Sequence, residues 1–143
     1  MLRYVVMLCL VLMAGCRQAA APAPTGPAAG NGWEVRYDAV LALAHRGSDK
    51  FLDPVVQDLL KEMLDEEQQL RNFRTTMKGG PDTINPHAAH MAVLGAINSV
   101  ADYHARKPGA DLSALKPAIE KLTKGPNPVV AKEARVLLEA LGP

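Results

Sequence analysis

Cysteine is almost missing from this 143-residue chain: Cys9 and Cys16 are the only two, both near the N-terminus. If the opening segment is removed, no pair remains for a disulfide, and stability must come from packing alone. Aromatic residues are also scarce, with two Phe, three Tyr and one Trp. Ala and Leu dominate instead, in helical periods punctuated by Pro and Gly, which argues against a sheet protein and for an all-α fold. Neither sign of charge is in excess, since 16 Lys and Arg face 15 Asp and Glu, and Arg3 accounts for the difference. This balance gives no electrostatic reason to expect nucleic acid or an anionic membrane surface as a partner.

Long apolar runs are missing too. The one apolar stretch, Tyr4 to Met13, is about ten residues, the length of a signal-peptide core and short of the roughly 20 that span a bilayer. It follows the basic Met1-Leu2-Arg3 and ends in Leu12-Met13-Ala14-Gly15-Cys16. That ending resembles the bacterial lipobox, with small residues before the cleavage point and then a Cys that accepts lipid; Met13 stands where the pattern usually has Leu. The resemblance implies a signal peptide over residues 1–15 and multiple acylation at Cys16. Two or more acyl chains hold a protein durably on a membrane. Arg17 occupies the position at which Asp can retain such proteins in the inner membrane. The expected location is therefore the cell envelope, at the outer membrane facing the periplasm.

Residues 16–32 are expected to form the lipidated Cys and a flexible linker. Its Ala, Pro and Gly offer too little apolar surface to offset ordering entropy, and its prolines extend it at up to roughly 3 Å per residue. Residues 33–143 are the expected folded domain, with six helical segments. These are Trp33–His45, Asp53–Leu64, a segment after Asp65 that is either a third helix or a continuation of the second, Asn85–Arg106, Asp111–Thr123 and Asn127–Leu141. The first has two apolar stripes, one with Trp33, Tyr37 and Val40 and the other with Val35, Ala39 and Leu43, which reads as burial on two faces. Three segments open with Asp-Pro or Asn-Pro, a capping residue followed by Pro at the first helical position. Pro117 is tolerable in the fifth only within its first turn. Lys78-Gly79-Gly80-Pro81 opens a loop.

Asn85-Pro86-x5-Ala92 recurs 42 residues later as Asn127-Pro128-x5-Ala134. Val35-Arg36-x-x-Ala39 with Leu43 is echoed by Val130-Ala131-x-x-Ala134 with Leu138. At these residues the chain resembles the HEAT family of helical repeats, with Ala131 where the pattern has Arg. The resemblance implies a short α-solenoid of about two helix pairs plus a capping helix, the pairs being the first with the second segment and Asn85–Arg106 with Asp111–Thr123. An up-down bundle is the alternative.

Chemistry-bearing residues are few. His87 and His90 sit on adjacent turns of one helix, but a metal site wants three or four ligands, and His104 lies about 20 Å further along the axis. No carboxylate near them in sequence completes a site. HEAT-like metal hydroxylases use His-Glu ligands, and no His-Glu occurs here. Asp65-Glu66-Glu67 reads as a solvated helix boundary. No phosphate loop or nucleophile elbow appears, so neither a catalytic site nor a cofactor or metal is expected. The functional expectation is a membrane-anchored, non-catalytic module that binds another envelope protein. Its contacts are placed in the insert Arg71 to Asp82, at Arg71, Phe73, Arg74, Met77 and Lys78. A self-associating structural lipoprotein is one alternative, and a small-ligand or metal carrier using His87 and His90 is another.

The anchor is testable directly. Cys16→Ala is expected to move the protein from the membrane to the soluble fraction, and continued membrane fractionation of the variant would refute lipidation at this site.

Overall fold

The computed structural model describes residues 32–76 and 81–142, so the leader, Cys16 and the linker lie outside the described residues. Among the described residues the elements are α1 (Trp33–His45), a 3-10 turn (Asp49–Leu52), α2 (Pro54–Met63), α3 (Glu66–Asn72), β1 (Arg74–Thr76), β2 (Asp82–Ile84), α4 (Pro86–Arg106), a second 3-10 turn (Ser113–Leu115), α5 (Lys116–Leu122) and α6 (Pro128–Leu141). The fold is all-α apart from one small hairpin. No described helix is long and apolar enough to cross a membrane.

Helix starts follow from side-chain chemistry. The first N–H groups of a helix have no partner within it, and here Asx side chains supply one. Asp53 accepts from the Val55 N–H at 3.0 Å, Asn85 from that of Ala88 at 3.1 Å, and Asn127 from those of Val129 and Val130 at 2.9 and 3.2 Å. Each is followed by Pro within the first turn, where a missing N–H costs nothing. Pro117 also lies in the first turn of α5.

Asp65 settles how the second helix ends. Its backbone is extended, at φ −89° and ψ 100°, and its carboxylate accepts from the Glu67 and Gln68 N–H groups. The segment after it is consequently a separate helix, α3. The helical segment expected to reach Met77 ends at Asn72 instead. Arg74–Thr76 and Asp82–Ile84 pair as antiparallel strands, Arg74 opposite Ile84 and Thr76 opposite Asp82, and the Asn85 N–H donates to the Phe73 carbonyl at 2.8 Å. Thr75, Thr76, Thr83 and Ile84 are β-branched, which favours extended backbone.

The core is organised around α4. Ala89, Val93, Ala96, Ile97, Val100 and Tyr103 are all buried along it, and its main neighbours are α1, α3 and α6. Small residues on this helix let the neighbours approach closely. The Tyr103 ring stacks on Phe51 from the first 3-10 turn, with centroids 4.3 Å apart. The principal neighbour of α5 is α6, so α6 packs on both members of the helix pair expected from the repeat. α1 is buried on one face only. Tyr37, Val40 and Ala44 turn inward, whereas Ala39 is exposed and Val35 is 74% exposed. The expected second buried face is thus corrected at Val35 and Ala39, which face outward, whereas Leu43 of the same stripe is partly buried against the core.

Phe51 sits fully buried in this core, so Phe51→Ala is expected to destabilise the domain by about 3–5 kcal/mol through lost burial and the cavity left behind. Urea unfolding measures it, and a loss below about 1 kcal/mol would contradict the packing described.

Candidate functional site

Polar chemistry inside the domain gathers on α3, a helix too short to be held by its own hydrogen bonds. Two of its side chains are buried although both are polar: Gln69 is fully enclosed and Glu66 is 8% exposed. Each faces a partner far away in sequence.

Gln69 belongs to a network centred on the Tyr37 hydroxyl. That hydroxyl donates to Glu62 Oε1 at 3.1 Å and accepts from Gln69 Nε2 at 2.9 Å and Asn72 Nδ2 at 3.2 Å. Gln69 Nε2 also donates to the Glu62 carbonyl at 2.8 Å. The Tyr37 pKa is raised, first by burial and then by the charge of Glu62, against the lowering effect of the Gln69 and Asn72 bonds. The network ties α1, α2 and α3 together.

Glu66 meets α4 and the start of α6. Its Oε1 lies 3.0 Å from His90 Nε2, and His90 Nδ1 is 2.7 Å from Asn127 Nδ2. Because Asn127 Oδ1 is occupied by the two N–H groups it caps, only its amide nitrogen is free to meet the imidazole, and it must donate. His90 Nδ1 is then the acceptor, and the ring proton sits on Nε2, toward Glu66. Oε1 is buried, and no other donor meets it. On the other side, Glu66 Oε2 fills the space beside Gly125: a Cβ there would lie 2.8 Å from Oε2 and 3.2 Å from the Leu122 carbonyl oxygen. Gly125 leaves room for the carboxylate.

This carboxylate opens into a groove of about 680 Å³ between α3 and the α5–α6 turn, walled by Leu70, Pro117, Leu122 and Pro126 and rimmed by charged residues. A second groove, of about 370 Å³, is lined by Trp33, Leu41, Phe73, Met91 and Ala92 with Glu34 and Asp38 beside them. Trp33 anchors it, edge-on to Phe73 at 4.6 Å and tilted against Tyr37 at 5.2 Å. Met91 is 54% exposed.

No protein-family model, curated protein or solved structure matches the chain. Function must therefore be argued from these residues.

The contact residues expected from the sequence are only partly gathered. Phe73 is half-buried in the aromatic groove, and Arg74 is exposed on β1. Arg71 turns back along α3, donating to Glu67 at 2.8 Å and Gln68 at 3.1 Å. Met77 and Lys78 lie outside the described residues. Of the histidines, His87 is exposed, and no group of three or more His, Cys, Asp or Glu side chains among the described residues is placed to hold a metal ion. Two sequence expectations need correction. Glu66 is buried rather than part of a solvated boundary, and a carboxylate does stand beside His90. Neither was visible because Glu66 and His90 are 24 positions apart in sequence and meet only through the packing of α3 on α4. The available signal was the Asn127 cap, whose amide nitrogen was left to be placed.

Asp65, by contrast, fulfils the boundary role. Burial raises its pKa, but the Gln68 N–H, the Lys121 ammonium at 3.3 Å and the Glu67 N–H outweigh this, and the net shift is downward. A lowered folded pKa stabilises above the unfolded value of about 3.9 and is lost as pH falls through the folded value. Asp65→Ala is expected to cost about 1 kcal/mol at neutral pH, with the difference from wild type closing below about pH 4. Urea unfolding across pH tests this; a difference that persists in acid would remove the carboxylate from the explanation.

Proposed function

We propose that the chain is a membrane-tethered, non-catalytic binding module of the bacterial cell envelope, lipidated at Cys16 and holding its helical domain away from the membrane on the Ala/Pro-rich linker. Its partner is another envelope protein. The supporting observation is the groove formed by Trp33, Phe73 and Met91. Large aromatic and methionine side chains left partly open on a surface are the composition of interface centres. Met adapts its shape to a partner, and the rigid rings supply area at low entropic cost. The neighbouring Glu34 and Asp38 would select a partner with basic residues around an apolar anchor. The groove includes Phe73 and lies beside Arg74, so the insert contributes to the contact.

The HEAT-like solenoid reading belongs to the same proposal. It is supported by the matching Asn-Pro helix starts of α4 and α6, and it competes with an up-down bundle in which α6 is a full member.

A second reading, self-association, is favoured by Val129 and Val136, which are 55% and 52% exposed one heptad apart on α6.

The two are separated by placing a photo-crosslinking residue at Met91 or at Val136 of the full chain in cells. A crosslink from Met91 to a second envelope protein, with none from Val136, is expected. Crosslinks solely between copies of this chain, strongest from Val136, would replace the proposal with the self-association reading.

A further inference from the structure

The larger groove has a chemistry of its own, set by the charge on its floor. Asn127 meets His90 Nδ1 at 2.7 Å, so the ring faces Glu66 only through Nε2, 3.0 Å from Oε1. The Glu66 side chain is nine-tenths buried and Oε1 has no other polar partner, a costly setting for a carboxylate. No cation among the described residues reaches it: Lys121, on the groove wall, is drawn to Asp65, and Lys124 forms no ion pair with it. Of the other carboxylates lining the groove, Glu67 is paired with Arg71 and Glu120 adds to the negative potential. Leu70, Leu122, Pro117 and Pro126 supply apolar walls.

We propose that this groove receives a lysine or arginine side chain of a partner protein, its aliphatic stem along Leu70 and Leu122 and its charged head on Glu66. A long basic side chain matches both features, since its methylenes cover apolar surface while the cation finds its counter-charge at the end. His90 and Asn127 act as positioning residues. Asn127 orients the His90 ring, whose Nε2 edge faces the carboxylate. The inference rests on the adaptor reading for the origin of the side chain, but its observation, the buried carboxylate, is separate from the aromatic groove that supports that reading.

The test uses the full chain in detergent micelles, titrated with short capped peptides identical except for a central lysine, arginine or norleucine, and with free spermidine. Binding is followed by the NMR signals of the Gly125 amide and the His90 ring. The lysine or arginine peptide is expected to shift both saturably, the norleucine peptide to leave them unmoved, and Glu66→Gln to weaken binding at least tenfold. The norleucine comparison uses the unaltered chain and decides the matter even where the variant misfolds. Equal shifts from the norleucine peptide would leave only an apolar groove and overturn the proposal. So would unchanged affinity in a folded Glu66→Gln chain, or binding of spermidine without either basic peptide. An envelope partner crosslinked from Met91, with no peptide binding here, would sink this site and leave the adaptor reading standing.

Discussion

The buried face of α4 is the constraint on which the rest of the domain depends. It is the longest helix described, and α1, α3 and α6 all take their main contacts from it. Ala89 and Ala96 let the neighbouring backbones come close, and Val93, Ile97, Val100 and Tyr103 fill the space between them. Near its N-terminal end this apolar strip is interrupted by His90, where α3 and the start of α6 converge. A polar ring in that place must find partners, because an unpaired buried nitrogen costs about 1–3 kcal/mol. Asn127 and Glu66 are there to meet it. The same packing that builds the core therefore creates the polar junction, and the groove beside that junction follows from the α5–α6 turn at Gly125.

Much of the architecture can be read from local chemistry because local chemistry decides it. Asp53-Pro54, Asn85-Pro86 and Asn127-Pro128 mark helix starts through the N–H groups they satisfy, and Pro117 could be placed in a first turn because it fits nowhere later in a helix. The features that escaped depend on neighbours. Val35 lies on an apolar stripe, but whether a stripe is buried depends on what is placed against it. The two short strands pair residues on either side of Gly79-Gly80 in sequence, where β-branched side chains favoured extension without fixing a register. Glu66 follows a capping Asp at a position that is usually wet. Its burial is decided by Gly125, whose missing side chain leaves the space that the carboxylate occupies.

The larger groove is walled on one side by α3, and the aromatic groove begins at Phe73 just beyond it, which gives that short helix a distinct energetic character. Seven residues gain little from intrinsic helicity, and its inward side chains, Glu66 and Gln69, bring polar atoms with incomplete partners rather than apolar area. Local stability in proteins varies from the global value down to nearly nothing, and segments with few buried apolar contacts lie at the lower end. α3 is held chiefly by the Asp65 cap, the Tyr37 hydroxyl network and contact with α4. It is thereby the element best suited to adjust when a partner fills the larger groove.

The cost of Glu66 bears on its purpose. A glutamine at this position would keep most of the volume and remove the charge, and a leucine would add apolar burial on a helix that has little. Replacing buried ionic groups by neutral ones of similar shape is often neutral or stabilising. Folding alone gives a carboxylate here only the modest preference of a helix first turn for an anion, about 0.3–1 kcal/mol. Binding gives a further reason, since a fixed anion in a partly apolar groove rejects acidic and neutral side chains and accepts a cation. Groups that break local rules of stability tend to lie where a protein meets its ligand. Gly125 fits the same logic, because any other residue would displace the carboxylate from the floor of the groove. The buried carboxylate, the ring beside it and the glycine that makes room for it form one device for recognising a basic side chain.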